Sequence, residues 1–253
     1  MRRGWLVVAL GIIAVLPLSA QRRERGGRRA DPEPNVPYDG RFTFARIRYS
    51  TPGELGGFRG GWDQTWSHDY PRAERHFTKI LSELSTLRVR TDASNVLTLD
   101  DPELFKYPIA YICEPGFWRP SDAEVAGLRS YLEKGGFLIV DDFEGSHWYN
   151  FEAQMRRVLP QGRLVRLTAD HPIFDSFYRV QSLDYVHPYY GTPSTFHGIF
   201  EDNDPTRRLM VIVNYDNDVA EYWEFSDTGL FPLDLSNEAY KLGVNYIVYA
   251  LTR

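Results

Sequence analysis

Residues 108–148 read PIAYICEPGFWRPSDAEVAGLRSYLEKGGFLIVDDFEGSHW, and their pattern decides the fold. Two apolar runs, Ile109–Cys113 and Phe137–Val140, flank a segment with helical spacing. Strands without polar alternation suit a parallel sheet covered on both faces. Between them Ser121 and Glu124 stand at capping-box spacing, the serine accepting from an early helical N–H and the glutamate reaching back. Val125, Leu128 and Leu132 fall on one helical face, and Gly135-Gly136 supplies a left-handed exit. Strand, helix and parallel strand make a right-handed crossover, and ligands of such sheets collect beyond the carboxyl ends of the strands. Those ends are acidic here, with Glu114 after the first run and Asp141, Asp142 and Glu144 after the second.

Outward from this unit the chain keeps alternating strands and helices. Upstream, Arg41–Tyr49 predicts a strand rich in aromatic and branched residues. Ser50–Tyr70 is a glycine- and tryptophan-rich loop. A helix follows, with Asp69 as its N-cap, Pro71 in its first turn and Phe77, Ile80, Leu81 and Leu84 on one face. Val96, Leu97 and Leu99 predict a short strand. Downstream, Tyr149–Leu159 predicts a helix closed by Pro160. Arg163–Leu167 is a short strand, and residues 198–200 and 208–213 form a hairpin. A terminal helix is capped by Asp234 or Ser236 and buries Ala239, Leu242, Tyr246, Ile247 and Ala250. The class is α/β, built on a mostly parallel central sheet.

The first 20 residues have the form of a secretory signal, with a basic start, an apolar run from Trp5 to Leu18 and small residues at Ser19-Ala20. Residues 21–40 are rich in arginine and proline and read as a disordered linker. Residues 41–253 then form one domain, exported to the periplasm or beyond, with no membrane span left after cleavage. A net charge of −5, together with export, argues against nucleic-acid partners. The single cysteine, Cys113, precludes an intrachain disulfide and reads as a small buried apolar residue.

If the strands are parallel, their carboxyl-end loops gather Trp62, His68 and Asp69; Glu114 and Trp118; Asp141, Asp142, Glu144 and His147; and Asn214, Asp216 and Asp218. Carboxylates at one mouth repel each other, so one of them holds a proton more tightly or the group holds a cation. Each piece also has a plainer role: aspartates after strands cap helices, and Asp216 to Asp218 suits a solvated turn. The spacing of Asp141, Asp142, Glu144 and His147 matches no metal motif, so no metal ligands are assigned, and no cofactor is specified. The turn at residues 140–145 has no Ser or Cys at its apex, and no phosphate-cradling glycine motif is present.

The succession RFTFARIRY, HDYP, PIAYIC, GGFLIVDD, DHPIF and LGVNYIVYAL resembles the bacterial family Domain of Unknown Function 4159, over about Arg41 to Arg253. The resemblance implies a class I glutamine amidotransferase-like fold, a flavodoxin-like three-layer sandwich. Active amidotransferases of that superfamily carry a cysteine at the elbow that follows the strand resembling GGFLIVDD, and a His-x-Glu pair after a later strand. Here the elbow holds Asp141 and Asp142, and the later position reads Asn214-Tyr215-Asp216. Both departures argue against ammonia release by a thiolate.

The expectation is therefore a non-catalytic module that binds a small molecule, such as a carbohydrate, or an envelope protein. Trp62, His68, Trp118, Asp141, Asn214 and Asp216 are its candidate binding residues. The alternative is a carboxylate-dependent hydrolase or sugar-processing enzyme, with a metal as a possible aid. In that reading Asp142 is the base, Glu144 or Glu114 the acid, and His147 or His68 an orienting group.

Overall fold

A computed structural model describes residues 32–50 and 65–253. Trp62, the signal segment and most of the glycine-rich loop lie outside the described residues. Among the described residues seven strands form one sheet in the order β2-β1-β3-β4-β7-β6-β5. They are β1 (Ala45–Ile47), β2 (Asn95–Leu97), β3 (Ile109–Cys113), β4 (Phe137–Asp141), β5 (Val165–Arg166), β6 (Thr195–Phe200) and β7 (Leu209–Tyr215). The first five in spatial order run parallel, while β6 lies antiparallel to β7 and β5 antiparallel to β6. The two runs that open the sequence argument pair in parallel, with Ile109 opposite Phe137 and Cys113 opposite Asp141.

Among the described residues five helices cover the sheet: α1 (Arg72–Leu84), α2 (Asp122–Glu133), α3 (His147–Val158), α4 (Val219–Glu224) and α5 (Leu233–Thr252). Strand alternation sorts the core into two layers. Ile109, Tyr111 and Cys113 pack with Phe77, Trp223 and Leu242 of α1, α4 and α5. Ala110 and Ile112 pack with Leu128 and Phe151 of α2 and α3. Because β3 is buried on both sides, its sequence has no polar alternation. The Ser121–Glu124 capping box forms with both of its bonds, and Gly135 leaves α2 at φ +110°.

Three boundaries differ from the sequence reading. Asp69 does not cap α1 with its side chain; its backbone carbonyl accepts from Ala73 N–H at 2.9 Å, and the carboxylate turns elsewhere. Neither Asp234 nor Ser236 caps α5, whose N-cap is Pro232. Part of the expected linker is docked: Asn35 exchanges bonds of 2.8 Å with the Val96 backbone, and Val36 N–H donates to Asn95 Oδ1 at 2.9 Å. These side-chain bonds cover part of the sheet edge that the short strand β2 leaves open. No helix of the described residues is long and apolar enough to cross a membrane.

Candidate functional site

The parallel strands bring three turns together at their carboxyl ends, and each turn delivers an acid. A 3-10 turn, Thr65–Ser67, leads to His68 and Asp69; Asp142 directly follows the last residue of β4; and β7 leads to Asp218 at the start of α4. Asp69, Asp142 and Glu114 all take left-handed backbone angles, φ 64°, 59° and 45°. This conformation is uncommon outside glycine and re-aims a side chain sharply at a strand end. The segment carrying His68 is fixed from below. Buried Arg46 of β1 pairs with Glu74 and donates through Nη1 to the carbonyls of Trp66 (3.0 Å) and His68 (2.9 Å).

At the centre, His68 Nδ1 lies 2.5 Å from Asp142 Oδ2, and Tyr190 O–H donates to Asp142 Oδ1 at 2.6 Å. Burial opposes ionisation of Asp142, but the charge of His68 and the bonds from His68 and Tyr190 prevail and hold it below the usual carboxylate range. The Asp69 carboxylate beside His68, and then Asp142, push the imidazole up to about 11 against its burial. Asp218 accepts from Glu221 N–H at 2.9 Å, yet burial and neighbouring carboxylates raise it well above the ordinary range. Asp69 is raised the same way, by burial first. Neither of its buried oxygens has a hydrogen-bond partner among the described residues, and His68 Nδ1 stands 3.7 Å from Oδ1. Glu114, half-buried at the mouth, is lifted to about 8 by burial and by the charge of Asp142.

His187 lies behind this group, with its Nε2 3.5 Å from Glu221 Oε2, and burial lowers it to about 4, leaving it neutral. One oxygen or nitrogen from each of His68, Asp69, Asp142 and Asp218 falls within 4.8 Å of the others, as do those of His187, Asp218 and Glu221.

Asp141, the neighbour of Asp142, has a different task. Its carboxylate accepts from Asn214 Nδ2 (3.0 Å), Tyr111 O–H (3.0 Å), Val219 N–H (3.1 Å) and Ala220 N–H (3.0 Å). It therefore caps α4, whose first N–H groups have no partner within the helix. Asn214 completes the frame by accepting from Tyr246 O–H at 2.8 Å.

Of the residues expected at the rim, His68, Asp69, Asp142 and Asp218 come together with Glu114 beside them, while Trp118, Asp141, Glu144, His147, Asn214 and Asp216 do not join them. Asp141 and Asn214 are consumed by the cap. Asp216 accepts from Gly145 N–H at 3.1 Å and shapes a turn. Trp118 is 1% exposed and packs in the α2–α3 layer. Glu144 is exposed, and His147 packs against Phe117 with ring centroids 4.8 Å apart. Asp141, Asp142 and His147 thus do not gather, because the chain leaves β4 with Asp141 and Asp142 serving different partners. Cys113 is fully buried and donates to the Trp66 carbonyl at 3.2 Å; burial drives its thiol up, so it is no nucleophile at neutral pH.

Tyr190, His187 and Glu221 carried no sequence argument. Tyr190 and His187 come from the weakly patterned segment before β6, and Glu221 lies in α4. Position on the fold is the only signal that joins them. A separate cleft of about 440 Å³ between α3 and β5–β6 is lined by Trp148, Arg156, Arg163, Arg166 and His197. It shares no residue with the acidic cluster.

A family model described as Domain of unknown function (DUF4159) matches residues 43–251. No curated protein matches the chain.

Proposed function

This chain belongs to the Domain of unknown function (DUF4159) family, and from that premise we propose that it is a ligand-binding domain. Its ligand is cationic and sits among His68, Asp69, Asp142 and Asp218, with Tyr190 and Glu114 beside them. The observation that carries this reading is Asp69, a buried carboxylate with both oxygens unpartnered among the described residues and facing two further acids. Burying a carboxyl whose oxygens lack hydrogen-bond donors costs roughly 1–3 kcal/mol for the missing bonds, and a positively charged ligand that binds the ionised form offsets that cost. We read the seven-stranded sandwich as amidotransferase-like and flavodoxin-like. On such a sheet the crevice beyond the parallel strands is the customary ligand site. The signal-like first 20 residues support work outside the cytoplasm, on a small molecule or an envelope protein.

A thermal-shift panel of organic amines, guanidines, neutral sugars, glutamine and divalent salts tests the reading, because a ligand of the native state raises apparent stability. Cationic members should raise Tm in the wild type and fail to do so in Asp142→Asn. Stabilisation by neutral sugars alone, or by nothing, would sink it.

One observation favours a second reading. Glu114 is lifted to about 8 while the adjacent Asp142 is held low, and a pair of carboxyls driven apart in this way is how hydrolases divide acid and base roles. Turnover of a glycoside or ester panel, abolished in both Glu114→Gln and Asp142→Asn, would favour it over binding alone.

A further inference from the structure

We propose that His68, Asp69, Asp142 and Asp218 form a site for one divalent first-row transition ion of the manganese, iron or zinc kind. The inference rests on the reading of this mouth as the ligand site and names the ligand.

Three observations carry it. The first is geometric. Four potential ligand atoms, one per residue, lie within 4.8 Å of one another, which is the span of atoms that can share one ion at about 2.0–2.4 Å. The second is the unpartnered, buried Asp69 carboxylate, aimed into the group and left without a donor among the described residues. The third is the arrangement of the outer partners. Tyr190 O–H occupies Oδ1 of Asp142, and Glu221 N–H occupies Oδ1 of Asp218. Each carboxylate is thus oriented through Oδ1, as the supporting shell of a metal site does, and Oδ2 of Asp142 meets His68 Nδ1 at 2.5 Å, where an ion would replace the shared proton.

The donor set selects the ion. One imidazole with three carboxylates is softer than the all-oxygen shells that calcium and magnesium prefer, and harder than a thiolate site. The adjoining His187 belongs to the support. Tyr189 N–H points at its Nδ1 from 3.4 Å, which assigns the ring proton to Nε2, facing Glu221 at 3.5 Å. That Nε2 has no hydrogen-bond partner among the described residues, so the ring stands behind the four proposed ligands and is not assigned as one of them. Entry is past His68, whose side chain is 26% exposed while that of Asp142 is 4% exposed.

The test uses the full chain, purified without a histidine tag and stripped with EDTA. Mn²⁺ and Zn²⁺ are titrated by calorimetry, Mn²⁺ is also followed by the loss of its free-ion paramagnetic resonance signal, and Mg²⁺, Ca²⁺ and putrescine run in parallel. One equivalent of Mn²⁺ or Zn²⁺ per chain is expected. Asp69→Asn should weaken it at least tenfold, and Tyr190→Phe, which removes only a supporting bond, by about tenfold to a hundredfold. Glu144→Gln should bind as the wild type does, and circular dichroism confirms that each variant is folded. Absence of a stoichiometric ion, unchanged binding in folded Asp69→Asn, or preference for Ca²⁺ or Mg²⁺ would overturn the assignment. Putrescine binding that is lost in Asp69→Asn, with no metal bound, defeats this inference and leaves the cationic-ligand reading standing. If neither binds, both fall.

Discussion

Asp141 and Asp142 are adjacent, both buried, and opposite in their circumstances. Asp141 receives donors from Tyr111, Asn214, Val219 and Ala220, all of them part of the scaffold. Asp142 turns through φ 59° into a group in which acids outnumber donors and one member, Asp69, has none among the described residues. Burial alone therefore does not mark a functional acid. What separates the two regions is whether the fold itself supplies the partners. Where it does, the carboxylate holds helix α4 to the end of β4; where it does not, the carboxylate is left for the ligand proposed above.

Truncation should break the two regions with opposite signs. Asp141→Ala leaves several buried donors without an acceptor and should cost about 4 kcal/mol of unfolding free energy. Denaturant titration measures it, and a loss under about 1 kcal/mol would show that α4 does not depend on this cap. Asp69→Asn in EDTA should instead stabilise the chain by about 1 kcal/mol, since the amide keeps the shape, removes a carboxyl whose ionisation burial opposes and can donate to neighbouring carboxylates. If both variants destabilise alike, the distinction drawn between the two regions is wrong.

The sequence carried the first region better than the second. Parallel pairing of β3 and β4 is legible because apolar runs flanking a capped helix admit few other arrangements. The gathering of loops at one mouth follows from that pairing, so His68, Glu114 and Asp142 were within reach of the residues alone. The division of labour between Asp141 and Asp142 was not, because it depends on the single backbone turn that points one side chain at α4 and the other at His68. Asp69 has the sequence form of an α1 cap, since Asp before a Pro-started helix is a common cap, but its positive φ, invisible in sequence, gives that duty to the carbonyl. Tyr190 and His187 come from a segment without strand or helix period, where pattern offers nothing to hold on to.

A smaller effect tests the same idea on a base outside the cluster. His197 lies against Trp148, with its Nε2 3.0 Å from Thr195 Oγ1, and burial, aided by Arg166, lowers it to about 4. The unfolded imidazole titrates near 6.5, so the folded state binds fewer protons between the two values. The stability this group contributes is present above pH 6.5 and is lost as pH falls toward 4. His197→Gln should flatten the unfolding free energy across that window, and an unchanged slope would place the acid sensitivity elsewhere.

The smallest effect is the sharpest control. Glu144 follows the same strand as Asp142 at a distance of two residues, and its side chain is exposed. If proximity in sequence to the β4 end conferred function, Glu144→Gln would disturb ligand binding; if the turn geometry does, it will not. Melting should stay within about 2 °C of wild type and cation binding should be unchanged. A weakening comparable to that of Asp142→Asn would mean that the charge of the whole turn, and not the inward aim of particular carboxylates, holds the ligand.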